Sequence, residues 1–327
     1  MEVGKLKASD LRELIFNNIE GRRKEILTDP KIGGDCAVMD FGEKVAYISS
    51  DPITGTSEEL GKLAVNINCN DIATAGVEPV GLMLTILAPE GTSREELDRI
   101  MRDAQAECKK IGVSIIGGHT EITRVVNQIV ASVTAIGIGY KKDYKSREET
   151  VDGDILVLTK GVGIEGTGII AYEKENDILE NLGEEILAEA KGMLDKTSVV
   201  KEGLVASSYV KGMHDVTEGG ILGAVWEMSE FYGLGAEVYR EKLVIHRSTK
   251  ALCDHFEIDP LRLISSGSML LVVSPENYEV LGRKLSSEGI EWSNIGRLTE
   301  EKSKVMISGC FIEEIGEPES DELYKVV

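Results

Sequence analysis

The stretch ELGKLAVNINCNDIATAG constrains the fold of this chain more than any other. Helical spacing lines up Leu60, Ala64 and Ile67, and the same stripe runs on through Asn70 and Asp71. A carboxylate on the buried side of a helix is costly unless it meets a base, a cap or a cation. The fold must therefore bring Asp71 such a partner on the apolar side of the helix expected over about 58–75.

Asp71 is one acid among several in similar settings. IGGDCAV sets Asp35 after two glycines, and YISSDP ends an apolar strand in Ser49, Ser50 and Asp51. SIIGGHTEIT runs a strand into Gly117, Gly118, His119, Thr120 and Glu121. HDVTEGGILGAVWEMSE places Asp215, Thr217, Glu218 and two glycines before an apolar helix. Singly, each has a plain structural reading as a turn, a helix cap or a satisfied histidine. Recurrence changes the weighing. Asp35, Asp51, Asp71 and Asp215 all fall at strand or helix ends beside glycines or hydroxyls, the pattern by which hard oxygen ligands gather around Mg²⁺. Bare N–H groups at a glycine-flanked helix N-terminus suit phosphate. The acids would repel a naked triphosphate and accept one wrapped in magnesium, with Thr217 donating to phosphate or capping the helix. No GxxxxGK[ST] loop is present, which argues against a P-loop enzyme.

Charge supports this direction. With 36 basic against 57 acidic residues, a net of −21, the chain offers no basic face for nucleic acid or an anionic membrane. The five cysteines show no metal or disulfide spacing. Cys108 falls on the apolar stripe of Leu97, Ile100, Met101, Ala104 and Ile111 and is expected in the core, as is Cys310. The N-terminal stretch lacks an apolar signal core and no run reaches membrane-spanning length, so a reduced cytoplasm is the expected location.

At 327 residues, two domains are expected, divided in the polar segment 140–154 as 1–145 and 146–327. A short helix over 10–20, strands near 45–50 and 80–88, and a Ser93/Glu96 capping box opening a helix to Ile111 are expected in the first half. In the second, strands and helices mix without strict alternation, which favours α+β over a doubly wound sheet.

Taken in order, GGDCAV, SSDP, LAVNINCNDIATAGVEP, GGHTEIT and HDVTEGG resemble the aminoimidazole ribonucleotide (AIR) synthetase superfamily. This group includes thiamine monophosphate kinase, selenophosphate synthetase and the hydrogenase maturation factor HypE. The match spans roughly 30–300, and DPLRLISSGSMLLVV and NIGRLTEEKSKVMI look closest to the HypE branch. The resemblance implies a two-domain α+β, PurM-like subunit whose N-terminal sheets pair into a barrel in a homodimer, with ATP and Mg²⁺ between domains and across the dimer interface. It implies phosphoryl transfer to, or dehydration of, an oxygen-bearing acceptor, either a small molecule or a group on a maturation partner protein. By motif position it assigns Asp35, Asp51, Asp71, Asp215 and Glu218 to metal, and Gly117, Gly118, His119, Thr120, Thr217 and Lys160 to nucleotide. Gly34 and His119 stand where relatives carry acids, and the tail EIGEPESDELYKVV lacks the cysteine that HypE proteins use. Two further readings therefore stand beside the enzyme: a non-catalytic nucleotide-binding partner, and a kinase of the thiamine-phosphate type.

Overall fold

The computed structural model describes residues 3–19, 21, 23–54, 56, 58–144 and 150–327. The expected 145/146 domain boundary lies outside them. The N-terminal segment forms helix α1 (Ala8–Asp10), a π-helical turn Leu11–Ile15 and a 3-10 turn Phe16–Asn18 in place of the regular helix expected over 10–20.

The first half builds a five-stranded sheet from β1 (Ala37–Asp40), β2 (Lys44–Ile53), β3 (Pro79–Ala88), β4 (Ser114–Ile122) and β5 (Val130–Tyr140), in the order β1-β2-β5-β3-β4. Helices α2 (Leu60–Thr74) and α3 (Arg94–Ile111) cover one face. α3 opens on the expected capping box, with Ser93 Oγ accepting from Glu96 N at 3.1 Å and Glu96 Oε2 accepting from Ser93 N at 2.8 Å. The sheet is open, and in the single chain it closes no barrel.

The second half contains α4 (Ile164–Glu173), α5 (Glu175–Asn181), α6 (Glu184–Lys191), α7 (Val200–Ala206), α8 (Gly220–Tyr232), α9 (Arg247–Phe256) and α10 (Pro275–Ser287). Its strands are β6 (Ile155–Thr159), β7 (Gly212–Val216), β8 (Gly235–Tyr239), β9 (Ser268–Val273), β10 (Trp292–Thr299), β11 (Lys304–Ser308) and β12 (Phe311–Glu314). They join in a seven-stranded mixed sheet, β12-β11-β8-β10-β6-β9-β7. Cys108 is buried, but Cys310 is exposed at the β11–β12 turn, against expectation: the strand run breaks at Gly309, whose positive φ turns the chain outward. No helix among the described residues is long and apolar enough to cross a membrane.

The helix α2 joins the halves. It packs against β2 and β5 on one side and against α7 and β7 on the other, so nearly its whole circumference is buried. Asn70, on the same stripe as Asp71, donates to Thr197 O at 2.8 Å and accepts from Val199 N at 2.8 Å. Gly203 allows α7 to approach, since a Cβ there would collide with the Ala73 carbonyl of α2. One hydrophobic core accordingly runs through both halves, and a second lies between α8 and the seven-stranded sheet.

The other face of the five-stranded sheet is bare. Val80 and Met83 on β3, Ile116 on β4, and Ile138 and Tyr140 on β5 are exposed. Strand β4 is open along nearly its whole length.

Candidate functional site

Where α2, β2, the turn before β1 and the end of β7 meet, four aspartates converge. Asp71 is 6% exposed and accepts a short hydrogen bond from Ser49 Oγ. Burial raises its carboxyl well above the ordinary range, and the charges of Asp215, Asp51 and Asp35 push the same way. Asp51 is held by its own backbone N–H, which donates to Asn68 Oδ1 at 2.9 Å. Asp215 is 1% exposed, its Oδ2 has no hydrogen-bond partner, and burial with the charge of Asp35 raises its pKa to about 7. Acids from both halves thus crowd one small volume.

His214, adjacent to Asp215 on β7, is a central member that sequence reasoning did not single out. Its Nδ1 lies 2.8 Å from Asp35 Oδ1 and its Nε2 lies 3.0 Å from Glu227 Oε2. Burial alone would lower its pKa, yet the two carboxylates outweigh that and raise it well above its ordinary value. A carboxylate at each nitrogen favours the protonated ring. Glu227 also accepts from Lys5 Nζ at 2.6 Å. Burial would raise Glu227, but His214 and Lys5 together hold it down to about 2. A chain of alternating charge, Asp35–His214–Glu227–Lys5, therefore flanks the aspartates.

Part of the set is spaced so that it could hold a divalent cation. Ligand atoms of Asp35, His214 and Asp215 lie within 4.8 Å of one another. Because both His214 nitrogens are already bonded, we assign the metal-ligating capacity to the carboxylates and a balancing charge to His214. The orphaned Asp215 Oδ2 and the neutralising pressure on Asp71 are what a cation would relieve. At Gly34, a Cβ would meet only Lys31, at 3.3 Å or more.

The other expected residues stand apart from this cluster. Glu218 accepts from Lys5 N at 2.8 Å and faces the N-terminal segment. Thr217 lines the same cavity as the cluster, but it does not cap α8 through its side chain. Instead the Gly219 N–H, expected to be free for phosphate, donates to Asp321 Oδ2 at 2.7 Å. Asp321 also accepts from Ile264 N and Leu323 N, at 3.1 and 2.9 Å. Lys160 is tied to Glu202 at 2.9 Å and to the carbonyls of Lys196 and Ser198. Gly117, Gly118, His119 and Thr120 lie on the edge strand β4, separated from β2 by β3 and β5. Gly118 has a local reason to be glycine: its φ is +148°, and a Cβ would strike the Leu84 carbonyl.

Two cavities meet at Asp35 and His214, the edge of the acid cluster, and Lys31, Gly33 and Gly34 also line both. One, of about 980 Å³, carries Tyr47, Tyr140, Tyr144, Phe231 and Tyr232, a concentration of rings in a chain only 5% aromatic. The other, of about 960 Å³, is lined by Asp51, Asp71, Asp215, Thr217 and Glu165, and its rim is formed by Lys5 and Tyr324 from the two ends of the chain.

Comparison with known proteins agrees with this architecture. Residues 33–139 match the family model "AIR synthase related protein, N-terminal domain", and 151–308 match "AIR synthase related protein, C-terminal domain". A putative hydrogenase expression/formation protein of Methanocaldococcus jannaschii is 26% identical over 281 residues, 84% of this chain and 82% of that protein. A thiamine-monophosphate kinase of Pyrococcus horikoshii is 24% identical, over 79% of this chain and 84% of its own length. Among solved structures, a HypE–HypF complex chain superposes with TM-score 0.75 at 22% identity, covering 95% of this chain and 100% of that one. A HypE structure in complex with ATP gives TM-score 0.69 at 17% identity, covering 97% and 94%.

Proposed function

The chain belongs to the AIR synthase related family, and on that premise we propose that it binds ATP with Mg²⁺ and transfers a phosphoryl group to an oxygen-bearing acceptor. The observation that carries this reading is the meeting of two large cavities at the edge of one acid cluster. The ring-lined cavity suits a nucleotide base, which stacks on aromatic faces. The other suits the acceptor, and a triphosphate would reach between them.

Asp35, Asp51, Asp71 and Asp215 would hold the cation. Bound Mg²⁺ neutralises the triphosphate and its developing charge during phosphoryl transfer. The protein's own part is alignment. Asn68 fixes the backbone of Asp51, Ser49 orients Asp71, and His214 with Lys5 offsets part of the acidic charge. Asp321 holds the α8 turn that carries Thr217 and Glu218.

We also propose a homodimer. An apolar sheet face bearing Val80, Met83 and Ile116 suits burial against a second copy. A dimer built on that face would place Gly117, Gly118, His119 and Thr120 in the interface, as a site crossing it requires. Calorimetry with a non-hydrolysable ATP analogue and Mg²⁺ tests the nucleotide, and ADP release with candidate acceptors tests turnover. A second reading, a nucleotide-binding maturation partner without turnover, is favoured by one observation: Asp321 already occupies an N–H expected for phosphate. Tight Mg²⁺-dependent binding with no ADP release under any acceptor would select it.

A further inference from the structure

Glu165 lies in the first turn of α4, on the wall of the 960 Å³ cavity and outside the aspartate cluster. It is 3% exposed and its Oε2 has no hydrogen-bond partner. Ser266 is on the same wall. Buried polar atoms are nearly always paired, so an open Glu165 Oε2 facing the cavity, with Ser266 beside it, points to a ligand.

The Glu165 carboxyl is within hydrogen-bonding reach of Ser266, through its backbone N–H and its hydroxyl, while Oε2 stays open to the cavity. The α4 N-terminus is served by others: Ile164 N donates to Ser265 Oγ at 3.2 Å, Gly166 N to Ile264 O at 2.9 Å and Thr167 N to Gly163 O at 3.0 Å. Among the described residues, no basic side chain forms an ion pair with Glu165. Burial raises its pKa to about 7; Ser266 opposes the rise, and Asp321 and Glu218 add to it. Tyr324, on the tail segment lining the same cavity, lies within reach of the Glu165 charge. Nearby Ile169, Ile264 and Leu323 give the wall an apolar frame.

We propose that Glu165, with Ser266, is the specificity element of the acceptor cavity and receives an uncharged X–H donor of the acceptor, a hydroxyl or an amide N–H. The contact itself stands on the cavity geometry. Its consequence, turning the acceptor's oxygen toward the aspartates, rests on the phosphoryl-transfer reading. An acceptor without a donor would leave Glu165 Oε2 unpaired and bind less well.

Three probes of one size separate the possibilities: acetamide with an N–H donor, isopropanol with an O–H donor, and acetone with neither. They are titrated into full-length protein labelled with ¹³Cδ-glutamate, and the Glu165 resonance is assigned by its disappearance in Glu165→Gln. Acetamide or isopropanol is expected to move that resonance at roughly fivefold lower concentration than acetone; the better of the two identifies the donor. In Ser266→Ala the shift is expected to weaken while folding, read by melting, is kept. If acetone acts at the same concentration as the donors, or no probe moves the resonance, the assignment is overturned. Calorimetry with Mg²⁺ and the ATP analogue runs in parallel, so absent nucleotide binding counts against the proposed function and leaves the Glu165 result standing.

Discussion

His214 Nδ1 sits 2.8 Å from Asp35 Oδ1, linking the last strand of the second sheet to the glycine turn that opens the first. The pair is almost fully buried, and Glu227 closes the other side of the ring. Removing the ring by His214→Ala would leave two buried carboxylates with Lys5 as their remaining base. Stability is expected to fall by about 3–5 kcal/mol, read by denaturant unfolding. The raised pKa sets the sign with pH: the stabilisation is complete below the imidazole's unfolded value and is lost as pH rises through the folded one. A loss below about 1 kcal/mol would show that the ring is not charged.

Asp71→Asn separates function from folding. The native acid is buried among other acids, so the amide relieves repulsion and the metal-free protein should melt at the same temperature or a few degrees higher. Binding of Mg²⁺ with the ATP analogue should weaken by about 100-fold or more. Equal damage to folding and binding would return Asp71 to a purely structural role.

The acids also predict how the metal-free protein responds to pH. Asp215, with a folded pKa of about 7 against an ordinary 3.8, stays protonated in the fold after the unfolded chain has ionised. Asp321, near 6, acts in the same direction. Stability should therefore fall from about pH 4 to about pH 7. Magnesium should flatten this slope, since it binds the ionised form. Melting curves across that range, with and without Mg²⁺, check it, and a slope unchanged by the ion would contradict the cation assignment.

Asp321 accepts from three backbone N–H groups, on Gly219, Ile264 and Leu323. Asp321→Ala would orphan them at about 1–3 kcal/mol each if none relaxed, and a total of about 3 kcal/mol is expected after rearrangement. Asp321→Asn, keeping one acceptor oxygen, should recover part of the loss. Thermal melting of the two variants distinguishes the clamp from general tail packing.

The open sheet face yields the last test. Replacing Met83 and Ile116 with glutamate puts two charges on an apolar surface at no cost to the monomer core, because both side chains are exposed. Light scattering should report a dimer for the native chain and a monomer for the double variant, with weaker nucleotide binding. A native monomer would remove the dimer proposal.

Much of this was legible in the sequence because it is local. The stripe through Asp71 placed that acid on the buried side of a helix, where it lies; that α2 is buried nearly all round was not marked by its apolar face. The capping box at Ser93 and Glu96 is a three-residue signal and formed as written. What stayed hidden depends on distant contacts. Asp321 meets Gly219 across 102 residues, and Lys5 meets Glu227 across 222. No periodicity encodes such a meeting. His214 stood in plain view in HDVTEGG, but its importance comes from Glu227 thirteen residues on and Asp35 far upstream. Cys310 misled because a strand-like run does not announce where a hairpin turns.

Asp35, Asp51 and Asp71 come from the first sheet and its helix, while Asp215 comes from the second. A cation shared among them would act as a second rivet between two plates already pinned there by the Asp35–His214 pair. The loaded molecule would then come apart in a single cooperative step. Stripped of the ion, the plates would still share one core, so unfolding would stay a single step and move to lower temperature.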